Sequence, residues 1–256
     1  MNNVLSVRNL SIHMEEDISI ENISFDINEG EAVLLSGENG IGKSTLLKTI
    51  ILSEIEDKQI QGSIISRSYG DLFKLNSSKR QEFRSKIAYV KQKDEYSEMG
   101  SVQVKDVFSD SYYAHTGRPL SFSEVDDLID EWLPRRKDNK RVFNAKDKPG
   151  KFSGGEQRLL SVLSIIATRP DSELLIIDEP LNNLDYVNAR NISNIINKVI
   201  RDNKHHMGLL MVSHCRIFPF ISREIQLTRN GINEKANSYV CHSCFGHHNA
   251  EGYYKK

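Results

Sequence analysis

The chain has 256 residues, 38% hydrophobic and 27% charged, the balance of a globular protein with a sizeable core. Its 34 Lys and Arg against 35 Asp and Glu leave a net charge of −1, which excludes a chain-wide polycation for nucleic acid but not a local patch. No apolar run approaches the roughly 18 residues that span a bilayer, and three cysteines are too few for a disulfide framework.

Met1-Asn2-Asn3 lacks the charged, then apolar start of a signal peptide, so a reducing cytoplasm is expected, with any membrane role left to a partner. In chain order, Val4 to Val7 predicts a short strand. Ile18, Ile20, Ile23, Phe25 and Ile27 alternate with polar residues, the period of half-buried strands, before a turn at Asn28-Glu29-Gly30. Ala32 to Leu35 is a continuous apolar run, as in a strand covered on both faces. A glycine-rich loop and a helix from Lys43 to about Leu52 follow, then a strand at Ile87 to Val90.

From about Gly100 to Gly150 a mostly helical insert is expected. Ser123-Glu124-Val125-Asp126 reads as a capping box, and Val125, Leu128, Ile129 and Trp132 recur at helical spacing ahead of Pro134. A helix starting near Gln157 and covering Leu159 to Ala167, a strand at Leu174 to Ile177, a helix at Val187 to Arg201 and a strand at Gly208 to Ser213 complete the pattern. Strands alternating with helices predict a parallel sheet. A polar tail begins near Asn237.

Gly37-Glu38-Asn39-Gly40-Ile41-Gly42-Lys43-Ser44 matches G-x-x-x-x-G-K-[ST] between a strand and a helix. Glycines let backbone N–H groups curl around a phosphate, and the helix directs its positive end at the anion. Lys43 would reach the β- and γ-phosphates of a nucleoside triphosphate, and the Ser44 hydroxyl would ligate Mg²⁺.

Leu174 to Ile177 runs into Asp178 and Glu179. Asp178 at a strand end can hold Mg²⁺, and Glu179 can orient or deprotonate an attacking water. Ser153-Gly154-Gly155-Glu156-Gln157 ahead of a helix is either an ordinary cap or a second anion-binding turn. Gln92 offers an amide oxygen to Mg²⁺ or water, Leu181 to Asp185 follow the paired carboxylates, and His214 ends a strand where an imidazole could contact a γ-phosphate.

This ordered set resembles the ATP-binding cassette (ABC) ATPases. Gly37 to Thr45 look like their Walker A loop, Gln92 the Q-loop glutamine, Ser153 to Gln157 the signature, Leu174 to Glu179 Walker B, Leu181 to Asp185 the D-loop, and His214 the switch histidine. The resemblance implies an α/β fold: a P-loop NTPase core with a parallel sheet, a flanking antiparallel β region and a helical subdomain near residues 98–150. It implies a cassette over residues 1–236, beyond which the composition marks a polar Cys/His-rich tail at 237–256.

In that family two cassettes dimerise head to tail, as a homodimer or a cassette heterodimer. Each ATP lies between the Walker A loop of one (Gly37, Glu38, Asn39, Gly40, Ile41, Gly42, Lys43, Ser44, Thr45) and the signature of the other (Ser153, Gly154, Gly155, Glu156). The implied catalytic residues are Glu179, His214, Lys43 and Gln92, and the implied Mg²⁺ ligands Ser44, Gln92 and Asp178. ATP hydrolysis would power transport through a separate membrane-spanning permease, placing the chain on the inner face of the cell membrane.

A soluble cassette acting on a ribosome, DNA or a cofactor scaffold is the alternative, and Glu179 argues against a non-hydrolysing regulator. Three features depart from the family. His13 and Met14 stand where an aromatic residue usually stacks on adenine, Phe152 replaces the usual Leu, and the helix from Arg158 lacks the common Ala-Arg-Ala run.

Pro134 to Lys151 is rich in Lys and Arg, as a solvated loop or a polyanion patch; without interleaved aromatics, no direct nucleic-acid contact is expected. Cys241, Cys244, His247 and His248 suggest a zinc site, but the spacing is tight and a plain polar tail is expected.

Overall fold

The computed structural model describes residues 2–13, 19–56, 58–92, 101–182, 184–203, 206–213, 218 and 220–235. Its elements are β1 (Asn3–His13), β2 (Ser19–Asn28), β3 (Ala32–Ser36), α1 (Lys43–Ile50), β4 (Gln59–Ser66), β5 (Gly70–Asp71), α2 (Ser77–Lys86) and β6 (Ala88–Val90). After these come α3 (Val104–Thr116), α4 (Phe122–Trp132), α5 (Gly154–Ala167), β7 (Leu174–Asp178), α6 (Tyr186–Asp202), β8 (Gly208–Val212), β9 (Arg223–Thr228) and β10 (Gly231–Lys235).

Two sheets carry the fold. One has six strands in the order β10-β9-β3-β8-β7-β6, parallel except for the β10–β9 hairpin. The other is antiparallel, in the order β2-β1-β4-β5. The apolar runs of β3, β7 and β8 reflect burial on both faces of the large sheet. Ala32, Leu34, Leu175, Ile177, Leu209 and Met211 point into a core shared with the helices of the insert, α5 and α6. Their alternates Val33, Leu35, Leu174, Ile176, Leu210 and Val212 point into a second core with α1 and the antiparallel sheet. β3 and β7 therefore end, with both faces covered, at the edge where the glycine loop and the paired carboxylates emerge. No helix among the described residues is long and apolar enough to cross a membrane.

The architecture matches the expected fold class, and several boundaries move. β1 runs on to His13, bending at Asn9 with φ 45°. α1 stops at Ile50, because Leu52 takes a left-handed φ of 56°. The α4 capping box is Ser121 with Glu124, not Ser123 with Asp126. Glu124 reaches back to both the Ser121 amide and hydroxyl at 2.8 Å, so Phe122 and Ser123 already lie in the first turn. α5 begins at Gly154, ahead of Gln157, because Ser153 itself caps it.

Candidate active site

The turn from β3 into α1 is built from glycines in conformations other residues avoid. Gly40 and Gly42 have φ of 77° and 104°. A Cβ on Gly37 would lie 2.8 Å from the Leu227 carbonyl oxygen on β9. Gly42 caps α1 with no side-chain hydrogen bond and no acidic residue follows in the first turn, so the helix N-terminus carries no internal anion. Lys43 folds back over the loop, its Nζ donating to the Gly37 and Glu38 carbonyls at 2.9 Å each. Burial lowers the pKa of this ammonium, and the Glu179 and Asp178 charges oppose that shift.

At the end of β7, Asp178 is 2% exposed and Glu179 6%. Burial raises the Asp178 pKa, offset by a hydrogen bond from Ser44 and by the Arg158 and Lys43 charges. Its Oδ1 is buried with no hydrogen-bond partner among the described residues. A buried carboxylate oxygen held beside a serine hydroxyl is the donor chemistry of a hard divalent cation. Glu179 has a left-handed backbone, φ 49°, and its amide donates to the Val212 carbonyl at 2.9 Å. Asn39, Lys43, Ser44, Gln92, Asp178 and Glu179 thus line one cleft of about 300 Å³. Shape, positive helix end, ammonium and orphaned oxygen together suit a triphosphate with its cation.

Ser153 to Glu156 lie elsewhere. The Ser153 hydroxyl accepts from the Glu156 amide, and Glu156 Oε2 accepts from the Ser153 amide and hydroxyl at 3.1 Å each. Arg136 Nη2 donates to the other oxygen of Glu156 at 3.0 Å. A Cβ on Gly155 would meet Asn188 Nδ2 at 2.6 Å and Asp185 Oδ2 at 3.1 Å, so only glycine lets α5 approach the start of α6. Ser153, Glu156, Asp185 and Asn188 line a separate cleft of about 450 Å³. Phe152 stacks on buried Phe143, ring centroids 5.6 Å apart, which accounts for an aromatic residue ahead of the turn.

His13 ends β1, paired with Ser19 and Gln59 on the neighbouring strands. His214, Met14, Asn183 and the tail with Cys241, Cys244, His247 and His248 lie outside the described residues.

One residue escaped the sequence reading. Arg158, on α5, is 4% exposed. It donates through Nη2 to the Asp178 and Glu179 carbonyls at 2.8 and 3.1 Å, through Nε to Pro180 at 3.4 Å, and through Nη1 to Lys91. It ties the helix after Ser153 to the paired carboxylates and to the residue before Gln92. The signal was a lone cation heading an apolar helix, which must find acceptors once buried.

A family model described as ABC transporter matches residues 20–182. The zinc uptake system ATP-binding proteins ZurA of Listeria innocua and Listeria monocytogenes are 30% and 31% identical over 217 residues, 84% of this chain and 77% of theirs. An energy-coupling factor transporter ATP-binding protein of Lactococcus lactis is 28% identical over 220 residues, 84% of this chain and 72% of its own. Among solved structures, a dimeric bacterial ABC transporter cassette superposes with a TM-score of 0.71 at 20% identity, over 91% of this chain and 98% of that one. At that identity the likeness speaks for the fold. Matched along most of its length by the family model and by curated relatives alike, the chain belongs to the ABC transporter family as an ATP-binding, ATP-hydrolysing subunit.

Proposed function

We propose that two copies of this chain, or this chain and a related cassette, close head to tail around ATP and Mg²⁺ and drive transport through a separate membrane-spanning permease. The observation that carries this reading is that two glycine-bearing turns, each at a helix N-terminus, open on different clefts with no lining residue in common. A second copy supplies the missing turn to each cleft. The names of the curated relatives, ATP-binding proteins of uptake systems and transporters, support the permease, and with it a place on the inner face of the membrane. The cassette comprises residues 1–236, with the helical subdomain near 98–150 inserted and a tail at 237–256.

In each composite site the loop from Gly37 to Thr45 cradles the phosphates and Lys43 neutralises their charge. Ser44, Asp178 and Gln92 would hold Mg²⁺, which when bound offsets charge on the β- and γ-phosphates. Glu179 accepts a proton from the attacking water, and His214 contacts the γ-phosphate. Ser153, Gly154, Gly155 and Glu156 present the α5 N-terminus to the nucleotide of the partner copy.

Mixing two inactive chains tests the arrangement. Ser153→Arg blocks the turn and Lys43→Ala disables the loop, so heterodimers keep one site with native Lys43 and Ser153. ATP hydrolysis that reappears on mixing supports the head-to-tail dimer. Heterodimers that form and stay inactive exclude it.

A further inference from the structure

The Ser153 turn carries a charge that its ligand opposes. Glu156 Oε2 lies 3.1 Å from the Ser153 hydroxyl, so a carboxylate sits one hydrogen bond from the group offered to phosphate. A helix N-terminus attracts an anion with roughly half an elementary charge, and a full negative charge beside it outweighs that attraction. Arg136 offsets the conflict by donating to Glu156 Oε1 at 3.0 Å, the oxygen the capping box does not use.

A built turn holds Arg136 there. Its Nη2 also donates to the Val142 carbonyl at 2.9 Å. Its amide donates to Lys140 and its carbonyl accepts from Asn139, both at 2.8 Å, and Asn139 closes the turn with φ 63°. Three neighbouring cations are engaged elsewhere: Arg135 and Arg141 each meet Asp130 at 2.7 Å, and Lys140 meets Asp138 at 3.3 Å. Asp185, the other carboxylate of the cleft, is committed to capping α6, accepting from the Asn188 amide and side chain at 3.0 and 2.6 Å.

We propose that Arg136 is a positioning residue for the composite ATP site: by pairing with Glu156 it cancels the carboxylate's charge, so that the Ser153 turn accepts the triphosphate held by a second copy. The inference rests on the head-to-tail reading above. Without Arg136, Glu156 repels the incoming nucleotide, and ATP-driven closure weakens while ATP binding by the single chain does not.

The test uses the full chain carrying Glu179→Gln, with Mg²⁺ and ATP, and reads the ATP concentration at half-dimerisation by sedimentation velocity. Adding Arg136→Ala should raise that midpoint about tenfold, the scale of one charge-assisted contact, and the rise should shrink with added salt. Arg136→Ala with Glu156→Gln should return it to within about twofold of the parent. ATP affinity measured on dilute, monomeric chains should be the same for all. A midpoint unmoved by Arg136→Ala overturns the inference, as does a double variant as impaired as Arg136→Ala, since the arginine would then only hold its loop. A Glu179→Gln parent that stays monomeric with ATP overturns the head-to-tail reading itself, an outcome distinct from a dimerising parent whose midpoint does not respond.

Discussion

Arg158 Nη2 donates to the backbone carbonyl of Glu179 at 3.1 Å, so the helix that follows the Ser153 turn holds the main chain of the proposed general base. Arg158→Met leaves buried carbonyls without a donor, at a cost of about 1–3 kcal/mol in stability. We expect kcat to fall about 10- to 100-fold while the equilibrium affinity for ATP stays near its original value, with Arg158→Lys falling between. Separate titrations of ATP binding and turnover check the split.

Glu179→Gln keeps the side-chain shape and removes the proposed proton acceptor. Turnover should drop on the order of 10²- to 10⁴-fold, with ATP still bound and dimers accumulating. Lys43→Ala should act the other way, weakening ATP binding itself, since it deletes the charge proposed to face the phosphates. Equilibrium dialysis with ATP separates the two.

Gly155→Ala drives a methyl group to 2.6 Å from Asn188 Nδ2. The start of α6 must shift, and Asp185, which caps it, moves with it. We expect a loss of at least tenfold in hydrolysis with little change in ATP affinity. Because the obstructing atom is a side chain, Asn188→Ala in the same chain should recover part of the loss, whereas a backbone obstruction could not be relieved this way. Paired activity assays read the recovery.

Removal of residues 239–256 should leave ATP hydrolysis within about twofold of the full chain, since every group assigned to phosphate, cation or water precedes them. Elemental analysis of untagged full-length protein should find no stoichiometric zinc. About one zinc per chain, lost with Cys241→Ser and Cys244→Ser, would reverse that expectation.

The central strands β3, β7 and β8 of the parallel sheet were legible because burial on both faces leaves a continuous apolar run, as in Leu174 to Ile177. The loop at Gly37 to Ser44 was legible because few residue types tolerate its backbone. β4 was not: only Ile64 and Ser66 of its residues, from Gln59 to Ser66, are buried, with Gly62 inside the strand. α2 buries only Phe83 among polar residues, so it has no apolar stripe to reveal it. β9 hides its period behind Arg223 and buried Glu224, which accepts from Ser36 at 2.6 Å beside the glycine loop. The separation of the Ser153 turn from the Lys43 cleft depends on how α5 and α6 pack, which local spacing does not encode.

The left-handed backbone of Glu179 sets durability against turnover at a single position. A non-glycine residue there stores about 1–2 kcal/mol, held in place by the hydrogen bonds from Arg158 and to Val212. Glu179→Gly would release that strain and give back about 0.4–1 kcal/mol through a more flexible unfolded chain. It should therefore melt no lower than the parent while losing hydrolysis altogether. A screen that rewards heat resistance alone would drift toward glycine here and discard the enzyme, whereas one that rewards turnover would keep the strained glutamate.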